Sequence, residues 1–362
     1  MAFIQASIFG RSDSRIKGII LIQEDKISIV VTSISKPNRA LLTLNEGCKN
    51  RGYRFIIIGD VASPPDFNIQ GCDYYDIDRQ IQTGLKFAKL CPQRHYARKN
   101  LGYLLAIQKG TNIIIETDDD NIPYPSFWDP RQPIHKVPIV GEKGWLNIYS
   151  YFSNTNIWPR GFPLNKIHFK PPSFESLPVQ KVDCPIQQGL ADENPDVDAI
   201  YRLILPLPQN FRDDRQIALK KGVWCPFNSQ NTTWWEETFP LLYLPAYSSF
   251  RMTDIWRSFV AQRIAWENNW SVLFHKPTMW QKRNEHNLMS DFADEIPGYL
   301  HNEKICNALE RLSIKSGIDN LGLSLTMCYE KLVELEMIDK KELHLINAWL
   351  DDLEKVRAET PN

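Results

Sequence analysis

The sequence has almost no net charge. Its 362 residues set 42 Lys and Arg against 43 Asp and Glu, which leaves −1 with His neutral. That balance gives no reason to expect nucleic acid or an anionic membrane as a partner. No two of the seven cysteines form a C-x-x-C pair, so neither a zinc knuckle nor a thioredoxin-type centre is indicated. An odd set of scattered thiols in a chain this long suits a reducing compartment. A basic n-region followed by a long apolar stretch is also missing, so no signal peptide is expected. The apolar run Gly18–Ile22 is far too short to span a bilayer. The expectation is a cytoplasmic protein without a transmembrane segment. There is no internal repeat and no low-complexity stretch.

What is present suits a large globular enzyme. Hydrophobic residues make up 43% and charged residues 23%, and the length allows one large domain and a small one. Eleven Trp and 24 Pro stand out. Much of that excess lies between Tyr124 and Trp280, as expected for ordered loops carrying aromatics. Such loops often build small-molecule pockets, although Trp side chains also simply fill large cores.

Apolar periodicity places the elements. Ile27–Ser33 reads as a buried strand, followed by a helix with Leu41, Leu42, Leu44 and Cys48 on its apolar face and Gly52 at its end. Phe55–Gly59 reads as a second strand ending in Asp60, and Tyr74–Ile77 as a short third. Arg94–Gln108 reads as a helix, and Asn112–Glu116 as a strand that runs straight into Thr117–Asp118–Asp119–Asp120–Asn121. Strand and helix alternating at this spacing imply βαβ units and a mainly parallel sheet. Further on, Leu203–Leu207 reads as a short strand, Asp254–Glu267 as a helix and Ser271–Phe274 as a last strand. His301–Leu312, Ser324–Glu336 and Lys340–Arg357 read as a helical tail. The expected division is a catalytic domain over about residues 20–299 and a helical domain over 300–362.

Ligands of open α/β sheets bind beyond the carboxyl ends of the strands, and the acidic run sits at that edge. Three carboxylates there repel one another and call for a cation or bases. Hard oxygen ligands suit Mg²⁺ or Mn²⁺, which typically use one or two carboxylates plus phosphates. Sugar transfer from a nucleoside diphosphate leaves negative charge on the departing phosphate, and a divalent cation stabilises it. Asp118 and Asp120, two apart, make the natural pair, with Asp119 directed elsewhere. The plain alternative is a solvated acidic turn. Arg94, Arg98 and Lys99 lie just upstream, either at the diphosphate or on an exposed basic face. Asp196 and Asp198 have metal-like spacing but no preceding apolar strand, so acceptor binding or loop capping is expected. Asp291, Asp294 and Glu295 read as a solvated acidic face.

Several strings recur in a known order. Ala97–Arg98–Lys99–Asn100–Leu101–Gly102 before the Asp run resembles nucleotide-sugar glycosyltransferases of the A-type fold. Trp158–Pro159–Arg160–Gly161–Phe162–Pro163–Leu164 is followed by Gln188–Gly189–Leu190 and by Asn194–Pro195–Asp196–Val197–Asp198–Ala199. With Pro226–Phe227–Asn228–Ser229–Gln230–Asn231–Thr232, these strings resemble the STELLO-type glycosyltransferases over roughly Ile27 to Tyr299. More remotely they resemble the reversibly glycosylated polypeptides, which are UDP-arabinopyranose mutases.

The resemblance implies an α/β, Rossmann-like A-type fold. It also implies a nucleotide-sugar donor, UDP-sugar favoured, a glycan or small-molecule acceptor, and Mn²⁺ or Mg²⁺. Thr32, Ser33, Ile34 and Asp60 would border the base. Asp118 and Asp119 would meet the ribose-phosphate, and Arg94, Lys99, Asn100 and Arg283 the rest of the donor. Asp118, Asp120 and a late histidine would hold the metal. The mutases place that histidine where this chain has Gln281, so His286 is the preferred substitute and His275 the second. Asp254 is the candidate general base or acceptor-orienting carboxylate, or an N-cap of the helix at Ile255. Arg160 aligns with the arginine that the mutases glycosylate on themselves; here it would bind phosphate or acceptor. The rival functions are a mutase or self-glycosylating protein, and a non-catalytic scaffold docking a glycan synthase. The helical tail is the candidate surface for a homo-oligomer.

Overall fold

The β-branched runs form the parallel half of a large sheet. The computed structural model describes residues 26–284 and 287–360. The first half contains β1 (Ile27–Thr32), α1 (Arg39–Lys49), β2 (Arg54–Ile58), β3 (Asp73–Tyr75), α2 (Ile77–Gln82), α3 (Lys86–Leu90), α4 (Lys99–Gln108) and β4 (Ile113–Thr117). These strands lie parallel in the order β3-β2-β1-β4. Chain order therefore reverses between β1 and β4, the crevice position where ligands of such sheets bind.

The second half extends the sheet. It contains β5 (Asn121–Pro123), β6 (Ile134–Val140), β7 (Gly144–Trp145), β8 (Val179–Asp183), β9 (Ile186–Asp192), α5 (Ala199–Ile204), β10 (Gln216–Leu219), β11 (Val223–Trp224) and β12 (Asn231–Trp235). After these come α6 (Thr253–Glu267), β13 (Val272–Gln281), α7 (Leu288–Glu310), α8 (Leu321–Glu334) and α9 (Glu342–Glu359). From β4 the order runs β12-β9-β13-β10-β6-β8, with β5 paired to the end of β13 and β7 to β11. β12 enters antiparallel to both β4 and β9, and β9 pairs parallel with β13. The sheet is mixed, with the Rossmann-like parallel part at its N-terminal side, as the α/β reading expected.

Two close approaches explain motif glycines. A Cβ on Gly102 would lie 2.4 Å from Val30 Cγ1, so α4 packs hard against β1 only because that position is bare. A Cβ on Gly189 would meet Asn231 Nδ2 at 2.4 Å. Trp158, Trp224, Trp234, Trp256 and Trp349 are fully buried, so these tryptophans fill the core rather than line a pocket. α6 is buried from Thr253 through Trp266, with the other elements wrapped around it.

Some local expectations change. Leu203–Leu207 is not a strand: Asp198 caps α5 by accepting from Tyr201 N at 2.7 Å, and the helix runs on through Ile204. Leu42 points outward, 50% exposed. Arg98 is buried, its guanidinium donating to Gln80 and to the carbonyls of Cys91 and Ala88. Glu295 is fully buried, not solvated, and accepts from Arg251 and Ala199 N, while Asp291 takes Arg283. Buried arginines require anionic partners, and that requirement draws these acids inward.

The tail helices hold site-bearing loops. The boundary expected at 299/300 falls inside α7, and residues of α7, α8 and α9 share one apolar core with α4 and α6. Glu342, fully buried, accepts from Ala246 N at 3.0 Å, Tyr247 N at 2.6 Å and the Tyr243 hydroxyl. Asp352 accepts from Lys86 N at 3.0 Å and Phe87 N at 2.7 Å, which satisfies the first turn of α3. Removing the Glu342 carboxylate leaves three donors without partners. Glu342→Ala should therefore lower the unfolding free energy by about 3 kcal/mol, measured by urea denaturation. Glu342→Gln, which keeps an acceptor, should lose less.

Candidate active site

The ends of β1, β2 and β4 open into two adjoining cavities. The first, about 290 Å³, is lined by Thr32, Ser33, Ile34, Asp60, Arg94, His95, Tyr96, Asp119 and Phe250, among others. The second, about 220 Å³, is lined by Thr32, Asp118, Asp119, Asp120, Arg160, Asp196, Gln230, Arg251, Asp254, Gln281, Arg283 and Asn284. Thr32 and Asp119 line both, so the two chambers form one cleft.

The first chamber has an aromatic wall. His95 stacks on Tyr96 with centroids 5.6 Å apart, and Phe250 meets both rings edge-on at 5.3 and 5.0 Å. Asp60 faces this wall. Its Oδ1 accepts from Val61 N at 2.7 Å and its Oδ2 from His95 N at 3.0 Å. Arg94 adopts φ +56°, a left-handed conformation uncommon outside glycine and concentrated at functional sites. Burial pushes the His95 imidazole down to about 4, against a smaller upward pull from Asp60.

In the second chamber the arginines are already matched. Arg160 Nε and Nη2 donate to the two oxygens of Asp196, each at 2.8 Å. Its Nη1 and Nη2 donate to Asp254 at 3.0 and 2.9 Å, and Nη1 also reaches the Arg251 carbonyl. All five N–H donors of Arg160 are thereby used. Asp254 also accepts from Ser229 N at 3.1 Å and from the Tyr96 hydroxyl at 3.3 Å. Burial alone would raise the Asp254 carboxyl, but the Arg160 guanidinium overrides it and holds the group below the usual carboxylate range. Asp254 lies inside the first turn of α6, whose N-cap is Met252, so it is not the cap. Arg251 and Arg283 are paired with Glu295 and Asp291 at 3.0 and 2.8 Å.

The acidic run is not matched in this way. Among the described residues, Lys99 alone forms an ion pair with it, through Nζ at 3.1 Å from Asp118. Asp118 keeps 39% of its side-chain surface open, facing the cleft. Burial among protein atoms, with repulsion from Asp120, outweighs Lys99 and pushes its carboxyl up to about 7. Asp120 is raised as well, chiefly by burial. Asp119 stands at the join of the two chambers and accepts from Ser33 Oγ at 2.6 Å. Gln281 Nε2 donates to Asp120 at 3.0 Å, while Gln281 Oε1 is buried without a hydrogen-bond partner among the described residues.

That orphaned oxygen is the test of fit for a divalent cation. Asp118, Asp120 and the Gln281 amide offer hard oxygen atoms around surplus negative charge, the donor type Mg²⁺ and Mn²⁺ take. Among the described residues no three His, Cys, Asp or Glu side chains converge as a complete metal cage. Two carboxylates completed by substrate phosphates are the usual arrangement for such ions.

The structure brings most sequence-derived candidates together and leaves some out. Thr32, Ser33, Ile34, Asp60 and Arg94 line the first chamber; Asp118, Asp119, Asp120, Arg160, Asp254 and Arg283 line the second. Lys99 reaches Asp118 from beneath. Asn100 stands apart, its amide exchanging two hydrogen bonds with the Leu244 backbone at 2.8 and 2.9 Å, so it braces α4. His286 lies outside the described residues. His275 faces another cavity, six residues back along β13 from Gln281. Sequence reasoning missed Tyr96, Phe250 and Asn38. Asn38 caps α1 through Leu41 N and donates to the Asp119 carbonyl at 2.9 Å. An Asn after Ser-Lys-Pro ahead of a helix was a readable cap signal.

Comparison with known proteins agrees with these motifs. The family model of the STELLO glycosyltransferases matches residues 251–362. The chain resembles the STELLO glycosyltransferases. "Probable glycosyltransferase STELLO1" of Arabidopsis thaliana is 29% identical over 275 residues, 69% of this chain and 34% of that protein. "Probable glycosyltransferase STELLO2" of the same plant is 28% identical over 359 residues, 92% of this chain and 45% of its own length. The chain thus spans between a third and a half of the curated relatives it matches. A solved mycobacterial protein superposes with a TM-score of 0.39 and 10% identity over 77% of this chain and 75% of its own, too loosely to argue from. No helix among the described residues is long and apolar enough to cross a membrane.

A histidine with a depressed folded pKa binds fewer protons folded than unfolded. Its stabilising contribution is complete above the unfolded value near 6.5 and is lost as pH falls towards 4. His95→Gln should therefore flatten the decline in stability between pH 6.5 and 4 by about 2 kcal/mol, read by denaturant titrations at each pH. An unchanged slope would mean that folding does not lower the His95 pKa.

Proposed function

We propose that this chain transfers a sugar from a nucleoside-diphosphate donor, UDP-sugar favoured, to a glycan or small-molecule acceptor, using Mn²⁺ or Mg²⁺ at the acidic run. The observation carrying this reading is the two-chamber cleft at the sheet's switch point. Its aromatic chamber suits a nucleoside and its carboxylate chamber suits a cation and diphosphate, with Thr32 and Asp119 at the join. The STELLO likeness supports the transferase class.

In this reading His95, Tyr96 and Phe250 enclose the base, and Asp60 presents carboxylate oxygen beside them. Asp118, Asp120 and Gln281 Oε1 hold the cation, which supplies positive charge where negative charge grows on the departing diphosphate. Lys99 steers Asp118 from the buried side. Arg251 and Arg283 face the same space and add positive field while remaining tethered to Glu295 and Asp291. Asp254, low in pKa and bonded through both oxygens to Arg160, is a weak proton acceptor. It serves instead to orient Arg160 and the Ser229 loop beside the acceptor.

The mutase reading requires a guanidinium nitrogen free to take sugar. Every Arg160 donor is engaged, which favours transfer to a separate acceptor. Incubation with radiolabelled UDP-sugar alone should leave no label on the chain. Label retained on wild type and lost on Arg160→Ala would favour the mutase.

The metal reading predicts that Mn²⁺ with UDP raises the melting temperature by mass action. Asp118→Asn and Asp120→Asn should each weaken that Mn²⁺-dependent binding by at least about tenfold, or about 1.4 kcal/mol, in calorimetric titration. Gln281→Ala should weaken it less and Gln281→His should retain it. No shift with any nucleotide and either ion would favour the scaffold.

A further inference from the structure

A third cavity lies away from the cleft, along β13. At about 570 Å³ it is larger than either chamber, and Arg131, His135, Lys136, Gln187, His275 and Lys276 are among its lining residues. Thr278 lines this cavity and Gln281 the cleft, three residues apart on β13 and about 10 Å along the strand, and the two places share no lining residue. The register of β13 against β9 shifts between His275 and Met279. Such bulges re-aim side chains and are over-represented beside functional sites.

The charge of this cavity is one-sided. Arg131, Lys136 and Lys276 face it, and Asp129 is the single carboxylate among its lining residues. Arg131 is the telling member. Its Nε donates to Thr233 Oγ1 at 3.2 Å and its Nη2 to the Phe127 carbonyl at 2.6 Å, and its guanidinium lies 5.0 Å from the centre of the Phe127 ring. These partners are uncharged, and among the described residues no ion pair of Arg131 is found. Burial pulls its pKa down to about 10. Arg131 is partly buried, its Nη1 reaches the Asp129 carbonyl at 3.5 Å and the Asp129 carboxylate acts on it from beyond ion-pair distance, so an anion entering the cavity would give it a direct partner. The two imidazoles are neutral reporters at its wall: His275 Nδ1 lies 3.0 Å from the Lys276 carbonyl and His135 Nε2 2.7 Å from the Gln132 carbonyl, so each N–H is taken by backbone, and burial lowers both pKa values.

We propose that this cavity binds a small molecule bearing an oxyanion, a phosphate ester or a carboxylate, held by Arg131, Lys136 and Lys276 independently of the cleft. Its volume lies in the range of small-molecule sites. The guanidinium fork and two ammonium groups are the usual recognition set for phosphate and carboxylate. The inference rests on the cavity alone and stands whether or not the cleft takes a nucleotide sugar.

Histidine-selective NMR of the whole chain tests it, because His135 and His275 line this cavity while His95 lines the cleft. Signals are assigned with His135→Gln, His275→Gln and His95→Gln. Inorganic phosphate, glucose 6-phosphate and glucuronate are titrated separately, with neutral glucose as the control. At least one anion should shift His135 and His275 saturably below about 10 mM and leave His95 still, while glucose shifts nothing. Tighter binding of glucose 6-phosphate identifies a phosphate ester, and tighter binding of glucuronate a carboxylate. The variant Lys136→Glu with Lys276→Glu, two side chains reaching solvent, should weaken binding at least about tenfold with its melting temperature kept. No saturable shift with any anion, a shift confined to His95, or unchanged affinity in the lysine variant overturns the proposal.

Discussion

The cleft depends on which buried charges are neutralised and which are not. β4 shows the contrast within five residues. Glu116, fully buried, accepts from Trp234 Nε1 at 2.8 Å and the Tyr103 hydroxyl, and it pairs with Arg257 at 2.8 Å. One residue later the strand ends, and Asp118, Asp119 and Asp120 face a cavity where, among the described residues, Lys99 is the ion-pair partner of Asp118. Nearby arginines form their ion pairs elsewhere: Arg160, Arg251 and Arg283 are held by Asp196, Asp254, Glu295 and Asp291 and reach the run only as a field. Among the described residues the cations are thus mostly paired elsewhere, and the acidic run keeps surplus charge. Paired charges fix geometry, and unpaired ones are what a cation can answer.

The motif loops deliver that geometry. Gln188 Oε1 accepts from Asn228 N at 2.9 Å and from Thr232 Oγ1 at 3.1 Å. The loop so fixed presents Ser229 N to Asp254 and the Ser229 carbonyl to Lys99 at 3.4 Å. One short segment therefore connects the group beneath Asp118 with the group that clasps Arg160. Strings far apart in sequence make a single polar scaffold, and that explains why they occur together.

Local signals were readable in the sequence. β1, β2, β4 and α6 follow from apolar periodicity, and the acidic run was recognisable from its place after β4. Partners across long separations were not. Glu295 and Asp291 read as a solvated face because only the folded chain brings Arg251 and Arg283 to them. Asn100 sat in a motif beside Lys99, yet one step around a helix turned it towards Leu244. The tail read as an appendage because composition cannot show that Glu342 reaches the backbone of Ala246, nearly a hundred residues earlier. Leu203–Leu207 has strand-forming residues, and a single Asp cap overrode them.

The tail also bears on how the cleft keeps its shape. Glu342 holds the chain at Tyr243 to Tyr247, a few residues before Phe250 closes the aromatic wall and Asp254 meets Arg160. Asp352 secures α3, which contributes the Ala88 carbonyl that receives Arg98, the residue immediately before α4 begins at Lys99. Loosening α9 therefore acts on both chambers through covalently short paths. The family-model match from Arg251 to the C-terminus covers this same stretch. It spans the clasp on Arg160, the strand bearing Gln281 and the helices that hold them. A site whose charges must stay matched or unmatched to within a hydrogen-bond length needs such bracing, since a small drift of α6 would free Arg160 to neutralise the acidic run itself.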